Sequence, residues 1–188
     1  MSVSIQNFRY EQIKRACVDT LKNCNIGTVP IDVKYLLITN GVMLKTYSSY
    51  SSNPRAIEML MRYSPDAFTI QLSDGRKMVL YNDKMPDARI RFSLTHELGH
   101  IVLKHRQESE LSEKEADFFA SYLLAPPPLI ASFKCFTPKE LSDRFNVSIE
   151  MSKNSLRRFC AWAGVTSRYC DYELTLLSLF GRQIDEKR

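Results

Sequence analysis

Apolar residues recur at close to a helical period over residues 8 to 22, at Phe8, Ile13, Ala16, Cys17 and Leu21. Asn25-Ile26-Gly27 ends that predicted helix. Val29-Pro30-Ile31 opens a second one, with Pro30 suited to a first turn because its missing N–H is not needed there. Val33, Leu36, Leu37 and Ile38 form its buried stripe, and Asn40-Gly41 stops it. Val42 to Tyr47 reads as a strand, residues 48 to 55 as a loop, and Ala56 to Tyr63 as a short helix. Ala67 to Leu72 and Lys77 to Tyr81 are strand-like runs flanking Ser73-Asp74-Gly75-Arg76, where Asp-Gly supplies the positive φ of a tight hairpin turn.

From Ala88 to about His105 the period is helical again, and Leu94 and Leu98 share a face. Glu108 to Ser112 is a polar connection. The next predicted helix runs from Glu113 to Leu124, with Pro126-Pro127-Pro128 as its terminator. Thr137-Pro138-Lys139-Glu140 is a capping box with proline in the first turn. Leu141 and Phe145 face inward, and Asn146-Val147-Ser148 turns into a helix through Arg158 to Trp162. A last amphipathic helix spans about Tyr172 to Phe180.

Composition narrows the class. A chain of 188 residues, 44% hydrophobic and 25% charged, suits one domain or a core with a small appendage, and excludes wholesale disorder. No apolar run is long enough for a membrane helix, and Met1 to Gln6 lacks a basic start followed by an apolar stretch, so a cytoplasmic protein is expected. The five cysteines are odd in number and none is spaced Cys-x-x-Cys, against a disulfide framework or a thiolate zinc knuckle. The net charge of +5 permits nucleic-acid contact without demanding it, since the positive residues are scattered apart from Arg157-Arg158 and Lys187-Arg188.

The chemistry concentrates in one stretch. All three histidines, His96, His100 and His105, fall within ten residues, and two of them form His96-Glu97-Leu98-Gly99-His100, the zinc-protease pattern His-Glu-x-x-His. Positions four apart on a helix lie about 40° apart around the axis and roughly 6 Å along it, so two imidazoles converge on one tetrahedral ion. Glu97 then stands beside the metal without binding it, where a general base must be. Glu113 and Asp117, four apart on the following helix, suit a third ligand and a carboxylate that orients a ligating histidine. Glu115 competes for the ligand role, although Ser112-x-x-Glu115 also reads as a capping box. Gly99, costly inside a helix, points to close approach of the helix that carries Glu113. The extended three-histidine pattern is disfavoured, because Leu103 and Arg106 stand where it needs glycine and histidine. His105 reads as a helix-end residue or, alternatively, as a group that polarises the substrate carbonyl. Tyr122 is the other candidate for steadying the oxyanion.

The segment His96 to His105, followed by Glu113-Lys114-Glu115-Ala116-Asp117-Phe118-Phe119-Ala120 and Leu123-Leu124-Ala125-Pro126, resembles the ImmA/IrrE family of zinc metallopeptidases. Tyr81-Asn82, Arg91-Phe92-Ser93-Leu94-Thr95, Ile31-Asp32-Val33, and Thr137 to Leu141 through Asn146-Val147-Ser148 are similar to the family's flanking segments. The likeness covers roughly residues 10 to 160. Where the family usually has methionine before the proline, this chain has Ala125.

The resemblance implies a small α+β, gluzincin-like metallopeptidase, mostly helical, with a short β-sheet packed on the active-site helices. Residues 1-135 would form the zinc metallopeptidase core and 136-188 a C-terminal helical extension packed on it. It implies a bound Zn2+ held by His96, His100 and Glu113, with Glu97 as catalytic base. It also implies an anti-repressor hydrolase whose substrate is a helix-turn-helix repressor of a mobile element or stress regulon. The strand Lys77 to Tyr81 is expected to offer its edge to an extended substrate. Two other readings remain. Residues 137 to 160 have helix-turn-helix proportions, so the chain could be a DNA-binding regulator whose zinc is structural. It could also load zinc and act by partner binding without proteolysis. The modest charge argues against direct nucleic-acid binding.

Overall fold

The computed structural model describes residues 5–107, 109–166 and 168–185; Met1 to Ser4, Glu108 and the terminal Lys187-Arg188 lie outside the described residues. In chain order the elements are α1 (Asn7–Asn23), α2 (Val33–Thr39), β1 (Val42–Thr46), a 3-10 turn (Tyr47–Tyr50), α3 (Pro54–Tyr63), β2 (Ala67–Gln71), β3 (Lys77–Tyr81), α4 (Asp87–Val102), α5 (Glu110–Leu124), α6 (Pro127–Ser132), α7 (Pro138–Phe145), α8 (Ile149–Val165), α9 (Asp171–Leu179) and α10 (Gly181–Asp185). This is a mostly helical α+β fold with one small sheet. Among the described residues, no helix is long and apolar enough to cross a membrane.

The sheet has strand order β1-β3-β2, with β1 parallel and β2 antiparallel to β3. Gly75 takes a φ of +84° in the hairpin turn, as the Asp-Gly signal requires. The central position of β3, with Val79, Leu80 and Tyr81 buried, corrects the expectation that Lys77 to Tyr81 offers a free edge. Both its sides are hydrogen-bonded within the sheet. The edge strand beside α4 is β2.

One helix start moves, and one short helix is added after the expected end of α5 at Leu124. Val29-Pro30 is a cis peptide in the loop before α2, and Asp32 is the N-cap, accepting from the Tyr35 N–H at 2.9 Å. The prolines at 126 to 128 end α5 and also start α6, with Pro127 and Pro128 in its first turn, where no N–H is missed.

The largest buried side chains, among them Ile13, Leu36, Leu98, Phe119, Leu123, Phe145 and Phe180, form one core. Leu141, Phe145, Leu176 and Phe180 bring the C-terminal helices into it. Arg91 clamps α4 in place: its guanidinium donates to the carbonyls of Ile31 (2.8 Å), Asn146 (2.9 Å) and Phe145 (3.4 Å). Arg158 turns inward, donating from Nη2 to Ser121 Oγ at 2.8 Å and stacking on the Phe118 ring. It is therefore withdrawn from the pair that Arg157-Arg158 would present to a phosphate.

Gly27 locks the chain after α1 against the end of α9. A Cβ there would run into the carbonyl of Leu179, and neither backbone segment yields cheaply. Gly27→Ala is expected to lower unfolding free energy by about 2–3 kcal/mol, read from the urea midpoint. An unchanged midpoint would mean the contact is loose.

Candidate metal centre

Helix α4 divides its two faces by chemistry. Leu94 and Leu98 are buried in the core, whereas His96, Glu97 and His100 line an open cleft of about 1020 Å³. Gly99 lets α5 lie close: a Cβ would sit 3.1 Å from the Phe119 ring and 3.2 Å from Ala116 Cα. That approach brings Glu113, one turn into α5, over the two histidines.

The resulting cluster is tight. His96 Nε2 and His100 Nε2 are 2.9 Å apart. Glu113 sets Oε2 3.3 Å from His96 Nε2 and Oε1 3.3 Å from His100 Nε2. One donor atom from each residue lies within 4.8 Å of the others. His96 Nδ1 donates to Asp117 Oδ1 at 2.8 Å, which leaves its Nε2 bare when the ring is neutral. Two imidazole nitrogens and a carboxylate thus point at one spot, the donor set a divalent cation such as zinc takes. Burial disfavours charge on His96, but the Asp117 hydrogen bond and nearby carboxylates outweigh it and hold its pKa above the ordinary value. Burial and the neighbouring His96 push His100 down to about 4, so it is neutral at pH 7, as a metal ligand must be.

Glu97 is held from the side. Thr69, in the middle of β2, donates from Oγ1 to Glu97 Oε2 at 2.7 Å. The sheet edge and the carboxylate beside the cluster are thereby joined. Nothing local in the sequence announces Thr69, because 28 residues separate the pair.

Three assignments need correcting. First, α5 begins at Glu110, not Glu113: Ser109 is the N-cap and Ser112 returns the bond, so Ser112-x-x-Glu115 is not the capping box. Glu115 is instead buried and faces away from the cluster. It accepts from Arg9 Nε at 2.8 Å and from His105 Nε2 at 2.9 Å. The Arg9 guanidinium holds its carboxyl below the ordinary range despite burial. Second, His105 is not in α4. The helix ends at Val102, Lys104 takes a φ of +58°, and the chain folds back so that the His105 N–H donates to the His100 carbonyl. The ring then meets His100 Nδ1 with its Nδ1 at 3.0 Å and Glu115 with its Nε2. Both nitrogens are engaged, so neither is left to polarise a carbonyl. Third, Tyr122 is 2% exposed in the core and is not among the residues lining the cleft, so it cannot reach a substrate there.

Edge strand β2 forms one wall of the cleft through Ala67, Phe68, Thr69 and Gln71, and Phe92 and Ile101 supply apolar floor. Arg89 pairs with Asp66 through two hydrogen bonds, 2.6 and 2.9 Å, at its rim. Glu110, the other acid near the start of α5, pairs with Lys114.

A family model described as the IrrE N-terminal-like domain (Peptidase_M78) matches residues 58–157, a span that includes the whole cluster. No curated protein matches the chain significantly.

Proposed function

We propose, from the premise that this chain belongs to the IrrE N-terminal-like (Peptidase_M78) family, that it is a zinc-dependent endopeptidase which cleaves and inactivates a helix-turn-helix repressor of a mobile element or stress regulon. The observation that carries this reading is the convergence of His96, His100 and Glu113 on one point, with Glu97 lining the same cleft. His96, His100 and Glu113 would hold the ion, and Asp117 would orient His96. Bound there, zinc would supply Lewis acidity, lowering the pKa of its water towards about 7 and polarising the scissile carbonyl.

The chain's own residues do the rest. A substrate segment lies in the cleft as an added strand on β2, whose outer backbone groups fix its register. Glu97 takes a proton from the attacking water as the C–O bond forms, then delivers it to the leaving amine nitrogen as the C–N bond breaks. Thr69 keeps the Glu97 carboxylate aimed. A cytoplasmic location belongs to the same reading.

Removing the Thr69 hydroxyl isolates its part. Thr69→Val is expected to lower kcat about tenfold, the scale of a hydrogen bond to a charged group, with KM little changed. Thr69→Ser should restore the rate. Steady-state cleavage of a fluorogenic peptide reads both, and a Val variant at wild-type kcat would remove Thr69 from the account.

The function itself is tested by co-expressing candidate repressors with the wild type and with Glu97→Gln. Repressor fragments with the wild type alone support the peptidase. Relief of repression by both proteins equally, with the repressor intact, would support action by binding instead.

A further inference from the structure

We infer that Glu115, acting through His105, fixes which nitrogen of His100 is left bare for the cation, so that Arg9, Glu115 and His105 form a positioning chain for the metal centre. The inference rests on the zinc reading above and adds three residues to it.

Glu115 lies against the Arg9 guanidinium, with bonds from both Nε and Nη2, and is a carboxylate that only accepts. His105 Nε2, 2.9 Å away, must therefore carry a hydrogen. A neutral imidazole has one N–H, so His105 Nδ1 is a lone pair. It faces His100 Nδ1 at 3.0 Å, and that contact holds only if His100 Nδ1 bears the hydrogen. His100 Nε2 is then bare, as is His96 Nε2 2.9 Å from it, so the three hydrogens of three neutral rings serve the other contacts of the chain and this one, facing Glu113, is the place left for a cation. The same outcome is reached at His96 in one step, through Asp117. Each of the two histidines is thus backed by a carboxylate, His96 directly and His100 through a second ring. Such outer partners set ring orientation and typically govern 10- to 100-fold in metal affinity.

Local backbone explains why His105 is in place. The left-handed turn at Lys104 reverses the chain after α4, and the His105 N–H donates to the His100 carbonyl at 3.0 Å. The His105 side chain is almost fully buried between His100 and Glu115. Arg9 reaches the site from α1, 106 residues earlier in the chain, and so ties the N-terminal helix to the centre.

In Glu115→Gln, Arg9 claims the amide oxygen and the amide N–H turns to His105. His105 must then place its hydrogen on Nδ1, against the Nδ1–H of His100, and the bare nitrogen is lost from the cluster. The expected result is zinc bound about 10- to 100-fold more weakly than by the wild type, measured by competition with a chromophoric chelator. His105→Leu should do the same. His105→Gln should keep affinity within about threefold of the wild type, because its amide oxygen and nitrogen repeat the acceptor and donor of the imidazole.

A second measurement needs no variant. Nitrogen-15 spectra of the metal-free wild type at pH 8.5 should show His100 as the Nδ1–H form and His105 as the Nε2–H form. The opposite tautomer at His100 overturns the inference, and so does zinc affinity unchanged in a folded Glu115→Gln. Wild type that binds no zinc would overturn the metallopeptidase reading itself, while the tautomer of His100 would still decide the proton pattern.

Discussion

Glu97→Gln is expected to cut cleavage by about 10²- to 10⁴-fold, the contribution of a positioned general base, while zinc content stays at the wild-type level. The substitution keeps the shape of the side chain. Its amide oxygen still accepts the Thr69 hydroxyl, now at 2.7 Å from Glu97 Oε2, and the three proposed ligands are untouched. What disappears is the ability to take a proton from water and return it to the leaving amine. Rates measured on a purified substrate, alongside zinc analysis and thermal melting, separate this from misfolding. Near-wild-type turnover by the folded, metal-loaded variant would remove Glu97 from the chemistry and leave the cluster without its base.

The second large effect is expected from His100→Ala. His100 supplies one of the three ligand atoms, and its ring is held between His96 and His105. Structural zinc sites contribute about 10–16 kcal/mol over four ligands, so losing one should weaken zinc by about 10²- to 10³-fold. Activity should vanish with the metal. Metal bound only to the folded state raises its apparent stability, so EDTA should lower the melting temperature of the wild type and leave that of His100→Ala unmoved. A melting temperature insensitive to EDTA in both proteins would mean no stabilising ion is held there.

The legible parts of the molecule were those written in consecutive residues. The His96-Glu97-x-x-His100 pair needs only helix geometry, and Gly99 forecast the close approach of α5, which the Phe119 and Ala116 contacts at 3.1 and 3.2 Å bear out. The Asp-Gly hairpin and the Thr137 capping box likewise carry their own local signals. Strand order does not: which of β2 and β3 lies inside the sheet depends on β1 pairing across the chain with β3, and periodicity of either run is silent on that.

The roles of Glu115 and His105 were hidden for a related reason. A capping box at Ser112 and Glu115 is a reasonable local reading, but Ser109 starts the helix one turn earlier. That frees Glu115 for Arg9, which sits on α1. His105 looked like a continuation of α4 because nothing in Leu103-Lys104 is a recognised breaker. Lysine rarely takes the left-handed conformation found at Lys104, and the return of His105 towards His100 follows from that one residue.

The central claim is that His96, His100 and Glu113 grip a single zinc ion. Crystals of the zinc-loaded protein, with diffraction collected on both sides of the zinc absorption edge, test it directly. The account predicts one strong anomalous peak within bonding distance of His96 Nε2, His100 Nε2 and a Glu113 oxygen, with Glu97 beside it and not bound to it. A peak elsewhere on the protein, or none between these side chains in crystals shown to contain zinc, would contradict it.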